Sequence, residues 1–188
     1  MIKTNKWVRL VWVCLLLGAI ILYVFYGRDL TPERIAAWIT AYRGYMLLVY
    51  FLVCVLRGIT LIPSTPFLLA GILLFRDTPL LLALVFMAGV LFSSTLLFYA
   101  SSYAGLATRF ERLYPNKMDL LRRRLSGRYG FGCIFFWAFI PFTPTDLVCY
   151  VAGSLGMRYA VFILPLMLGE SLISLTYIFN GHWLLGWL

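Results

Sequence analysis

Residues 45–75 read YMLLVYFLVCVLRGITLIPSTPFLLAGILLF, and this stretch decides the fold. It is apolar on both sides of a centre, RGITLIPSTP, that holds Arg57, Gly58, Pro63 and Pro66. Two membrane crossings joined by a turn need about forty residues, and this stretch has only about thirty. A proline inside a helix removes a backbone donor and clashes with the preceding turn. Two prolines three residues apart therefore break the helix. Broken backbone at membrane depth persists only where protein or a water-filled cavity satisfies its polar groups. The expectation is a re-entrant hairpin that enters and leaves on one side.

Residues 131–157, FGCIFFWAFIPFTPTDLVCYVAGSLGM, repeat the pattern. Pro141-Phe-Thr-Pro144 matches Pro63-Ser-Thr-Pro66, and Ala152-Gly153 matches Ala70-Gly71. The second interval is four residues longer, about one helical turn. Each stretch is followed by an apolar segment with a glycine, Gly89 in 79–100 and Gly169 in 159–179. Hairpin then span, twice and in opposite orientation, is an inverted-topology repeat. Many secondary transporters are built so, with broken helices meeting near the bilayer midplane. Pro63, Pro66, Gly71, Pro141, Pro144 and Gly153 are the residues expected to break the hairpins.

Working outward, Leu10–Tyr26 is long enough to span and lacks a small-residue cleavage pattern. Residues 1–30 are thus read as an uncleaved signal anchor with its N-terminus in the cytoplasm. Residues 31–44 follow. Thr31 is a good N-cap, Pro32 suits the first turn, Glu33 favours the positive end of the dipole, and Ile35, Trp38 and Ile39 recur at helical spacing. This predicts a short amphipathic helix on the outer surface. Residues 101–130 are the one long polar segment. Leu120, Leu121 and Leu125 share a helical face there, and Arg122, Arg123, Arg124 and Arg128 are free to meet anionic head groups, each worth about 1 kcal/mol.

Composition agrees with a bilayer as solvent. Hydrophobic residues make up 63% of the 188, mean hydropathy is +0.92, and 12% are charged, about half the soluble average. The fold class expected is an all-α integral membrane protein: an N-terminal transmembrane helix, then the inverted repeat over 45–180. Sixteen Lys and Arg face seven Asp and Glu. In a membrane protein that excess reports topology rather than nucleic acid. The expected topology puts Lys3, Lys6, Arg9, Arg109, Arg112, Lys117, Arg122, Arg123, Arg124, Arg128 and Arg158 inside. Arg28, Arg34, Arg43 and Arg76 fall outside, so the charge bias agrees. A bacterial inner membrane is the expected location.

Cys14, Cys54, Cys133 and Cys149 form no CxxC pair and read as small apolar residues. His182 is the single histidine. No nucleophile–base pair, metal cluster or cofactor motif is visible, so no enzyme, metal or cofactor is expected. The residues that carry chemistry are the charges within the apolar stretches: Arg57, Asp146 and Glu170. Arg57 suits a phosphate or carboxylate but, near an interface, reads as structural. Asp146 or Glu170 can exchange a proton or pair with the arginine. Thr65, Thr143 and Thr145 can cap the broken backbone or touch substrate.

On IPSTPFLLAGILLF, RRRLSGRYGF and FIPFTPTDLVCYVAGSLG the chain resembles the VTT-domain superfamily, which includes the DedA and SNARE-associated Golgi proteins. The resemblance covers about residues 40–180. It implies two facing re-entrant hairpins and a lipid-moving role, with recycling of undecaprenyl phosphate or phospholipids, and proton coupling, among bacterial relatives, and scrambling among eukaryotic ones. The chain departs from the DedA pattern in two places. It has no acid between Tyr45 and Phe75, and Trp137-Ala-Phe139 stands where an arginine precedes the second hairpin's proline. It is closer to the plainer VTT branch. The expected partners are anionic membrane lipids, with a homo-oligomer compatible with the sequence. The expected function is lipid translocation between leaflets. The alternative is a non-transporting scaffold that docks through its basic loop.

Overall fold

The computed structural model describes residues 31–60, 62–104, 123, 125, 127–141 and 143–185. The expected first span at 1–30 lies outside them, as does most of the basic loop, including Arg122 and Arg124. The described residues are helical. In order they form α1 (Pro32–Thr40), a 3-10 turn (Arg43–Tyr45), α2 (Met46–Ile59), α3 (Thr65–Leu74), α4 (Pro79–Ala104), α5 (Arg128–Phe139), α6 (Thr145–Ser154) and α7 (Tyr159–Leu185).

Among the described residues two helices are long and apolar enough to cross a membrane: α4 over Pro79–Ser102 and α7 over Tyr159–Gly181. Both outrun the expected spans. The backbone continues helical through 104, where a loop was expected from 101, and α7 runs on to Leu185. Their outer flanks are the reverse of a soluble surface. Leu80 and Leu84 on α4 are 68% and 70% exposed, and Leu164, Leu168 and Leu172 on α7 are exposed at spacings of four. A helical stripe of bare leucine demands an apolar surrounding.

The two prolines of each pair take different places. Pro63 and Pro141 lie in the breaks. Pro66 sits in the first turn of α3, and Pro144 is the N-cap residue of α6. In each pair the first proline therefore ends order and the second starts the next helix, where a missing N–H costs nothing. Gly71 and Gly153 correct the expectation. Neither breaks anything, because both lie inside helices. They are packing glycines: a Cβ on Gly71 would collide with the Tyr50 hydroxyl, and one on Gly153 with the Phe98 carbonyl oxygen.

The same packing recurs in both halves. The first helix of each broken pair lies on the long helix that follows it: α2 on α4, α5 on α7. Glycines permit the approach. A Cβ on Gly89 would lie 2.8 Å from Cys54 Cβ, and one on Gly169 would lie 2.8 Å from Ala138 Cβ. The second helix of each pair crosses to the other half, α3 to α7 and α6 to α4. The long helices also pack on each other, which joins the halves.

α1 begins as predicted, with Thr31 Oγ1 accepting from the Arg34 amide at 3.4 Å. Its buried face is Ile35, Ala36 and Ile39, set against α3. Trp38, expected on that face, is instead 64% exposed beside Tyr42. Of the cysteines described, Cys54 and Cys149 are buried and free, as small apolar residues are, and Cys133 is exposed.

Candidate functional site

The two breaks touch. Thr65 Oγ1, at the start of α3, donates to the Pro141 carbonyl at 2.8 Å, joining residues 76 positions apart. Around this contact the freed backbone groups find partners within the protein. The Arg57 guanidinium donates to Ile62 O at 3.3 Å, and Thr60 Oγ1 donates to Arg57 O at 2.8 Å. Thr143 Oγ1 reaches both Trp137 O and Ile140 O, and Trp137 Nε1 donates to Pro144 O at 3.4 Å. Thr143 is thus a cap for the second break, and Thr65 ties one break to the other. Such internal satisfaction is what irregular backbone needs away from water.

The three charges singled out from sequence converge here. Arg57, Asp146 and Glu170 are 3%, 2% and 2% exposed. Arg57 Nη1 lies 3.4 Å from Asp146 Oδ2, so the last turn of α2 is paired with the first turn of α6. Arg57 is therefore enclosed by the protein, at the core of the molecule. The chain turns between α2 and α3 inside the protein, which carries Arg57 inward with the break. Glu170, on α7, is buried within the electrostatic reach of Arg57 and lines the same small cavity as Thr145. One carboxylate thus pairs with the guanidinium, and a second lies within its field.

That guanidinium is underused. Its Nε and Nη2 are buried with no hydrogen-bond partner. A buried donor left unpaired costs about 1–3 kcal/mol, more when charged. In native interiors such unpaired donors are few.

Beside the charges lies a cavity of about 10 Å³, the space of a single water molecule. Both breaks line it, through Ser64, Thr65, Pro141 and Thr143, and α7 closes it with Glu170, Ser174 and Tyr177. Ser174 is 1% exposed and its hydroxyl is unpartnered. Sequence reasoning missed Ser174 and Tyr177. The available signal was spacing: residues 170, 174 and 177 fall on one helical face below a buried acid. Ser93 and Ser94 on α4 are buried, and Ser93 lies against the same cluster. A Cβ on Gly58 would meet Ser93 Oγ at 2.6 Å and Asp146 Oδ1 at 3.2 Å.

Of the expected head-group contacts, Arg122 and Arg124 lie outside the described residues. Arg123 is exposed, and the chain resumes in α5 at Arg128.

A family model described as the VTT domain matches residues 62–183. The match takes in Asp146 and Glu170 and starts after Arg57. Searches among curated proteins and among solved structures return no match.

Proposed function

The chain belongs to the VTT-domain family, and from that premise we propose that it moves a phosphate-bearing lipid between leaflets through the junction of its two broken helix pairs. Helix lengths support the geometry. At 1.5 Å per residue, α2, α3, α5 and α6 are about 21, 15, 18 and 15 Å long, and a hydrocarbon core is about 30 Å thick. None crosses alone. Each pair reads as a re-entrant hairpin, the pairs enter from opposite faces, and their tips meet where Thr65 bonds Pro141. The recurring packing in the two halves supports an inverted repeat.

The single observation that carries the reading is Arg57: a guanidinium buried in the core, paired with Asp146 and with two nitrogens unpartnered. Guanidinium donors in a fork match a phosphate or carboxylate bidentately. An anionic head group reaching the junction binds those free donors while its acyl chains remain in lipid. It then shares Arg57 with Asp146 and Glu170. Three anionic groups around one cation are poorly balanced, and a proton carried with the head group restores the balance. The charge bias of the N-terminus and loops supports an N-terminus in the cytoplasm.

Reconstitution tests this. Purified protein in liposomes is expected to move a labelled anionic phospholipid between leaflets above the protein-free rate, and Arg57→Gln to lose that activity. Transport that survives Arg57→Gln but is lost when Arg122, Arg123 and Arg124 are neutralised would overturn the junction in favour of the basic loop.

A further inference from the structure

We infer that the chain carries a separate, peripheral site for an anionic phospholipid at the Arg76 end of the molecule, apart from the Arg57 junction. The start of α4 and the ends of α3 and α7 enclose an open pocket of about 190 Å³. Its walls are Ile72, Phe75, Pro79, Leu82, Ile178 and Phe179, and its one charged lining residue is Arg76. Arg76 is exposed, and among the described residues its guanidinium has no hydrogen-bond or ion-pair partner. Asp77, the next residue, is exposed and does not line the pocket. A cation at the mouth of an apolar slot, three residues before the long helix begins, is the complement of an anionic lipid. The phosphate meets Arg76 at head-group depth, and one acyl chain lies along Leu82 and Ile178.

The other half of the chain provides an internal control. When Ala70-Gly71 is set on Ala152-Gly153, Arg76 falls on Arg158. When Gly89 is set on Gly169, Pro79 and Leu82 fall on Tyr159 and Phe162, and Ile178 and Phe179 fall on Phe98 and Tyr99. The second place is filled by those aromatics. Phe98 stacks on Phe162 at 5.1 Å, Tyr99 stacks on Tyr159 at 5.6 Å, and the Tyr159 hydroxyl is 2.6 Å from Thr95 Oγ1. The same arginine therefore heads a place plugged by the protein's own rings in one half and an open pocket in the other. Smaller side chains at Pro79, Leu82 and Ile178 make the difference.

The test is native mass spectrometry of the full chain, with phosphatidylglycerol and phosphatidylcholine of identical acyl chains, plus photolabelling by phosphatidylglycerol with a diazirine in its chain. Wild type is expected to retain phosphatidylglycerol at least fivefold over phosphatidylcholine. Arg76→Gln should retain one phosphatidylglycerol fewer per chain than wild type, and Arg158→Gln should bind as wild type. The photolabel should map between Ile72 and Leu82 or at Ile178–Phe179, and the plugging variant L82F/I178F should lose it. Arg76 is a surface residue, so its substitution reads binding without a folding defect. Equal retention of the two lipids overturns the inference. So does an equal loss in the Arg76 and Arg158 variants, or a label elsewhere with residues 1–30 covering the pocket. Arg57→Gln should leave this binding intact, so failure of the transport reading and failure of this site are separable.

Discussion

Arg57 Nη1 and Asp146 Oδ2 stand 3.4 Å apart at 3% and 2% exposure, linking residues 89 positions apart across the two halves of the chain. Breaking a buried pair by removing one partner strands the other charge and costs about 3–5 kcal/mol, whereas removing both is often close to neutral. Arg57→Gln and Asp146→Asn are each expected to lower stability by that order, and the double variant to recover most of the loss. Thermal unfolding in detergent measures the cycle. Transport should stay lost in the double variant, which separates the pair's structural part from its part in binding. A double variant that transports at the wild-type rate would remove Arg57 from the mechanism.

Ser174 offers the opposite balance. Its hydroxyl is buried and unpartnered at the cavity that both breaks line. Replacing a stranded buried hydroxyl by hydrogen relieves a desolvation cost of about 1–3 kcal/mol, less the small packing loss. Ser174→Ala is therefore expected to unfold at the same or a higher temperature and to transport at least threefold more slowly. A hydroxyl with a purely structural role predicts unchanged transport.

The glycines divide by what surrounds them. Gly153 has the Phe98 carbonyl oxygen where a Cβ would stand, and backbone cannot swing aside. Gly132, in the middle of α5, has open space there. Gly153→Ala is expected to destabilise by about 1–3 kcal/mol through overpacking. Gly132→Ala should stabilise by about 0.5–1 kcal/mol, the ordinary helix gain. Unfolding curves of the two variants, side by side, decide it.

These contrasts mark how far the sequence could be read. The breaks were legible because proline's missing donor and locked φ act locally, whatever the tertiary context. The apolar runs and their lengths were legible for the same reason. Gly71 and Gly153 were misread because a glycine that ends a helix and a glycine that admits a neighbour look alike in one dimension. Only the approach of Tyr50 and Phe98 distinguishes them. Arg57 was matched with Asp146 or Glu170 because a charge in an apolar stretch needs an opposite one, but the sequence did not choose between them. Its partner lies in the other half, and no local pattern encodes that pairing. Glu170 was found because a mid-span acid is conspicuous. Ser174, one turn further, was overlooked because serine is common in close-packed membrane helices.

The re-entrant reading turns on which face each hairpin's ends occupy. If α2 and the break and α3 together crossed the membrane, Gly44 and Asp77 would lie on opposite sides. If the pair enters and returns, they lie on the same side. The second pair, flanked by Gly127 and Arg158, should then open to the other side. Gly44, Asp77, Gly127 and Arg158 are all exposed, so each tolerates a cysteine. In a background with Cys14, Cys54, Cys133 and Cys149 replaced by alanine, a membrane-impermeant maleimide applied to sealed vesicles of known orientation reads each site. Gly44→Cys and Asp77→Cys are expected to label from one face, and Gly127→Cys and Arg158→Cys from the opposite face. Cys54→Ala and Cys149→Ala alter buried positions, so transport by the cysteine-free chain is measured first. Labelling of Gly44→Cys and Asp77→Cys from different faces would make α2–α3 a crossing and leave the Thr65–Pro141 contact as a packing feature alone.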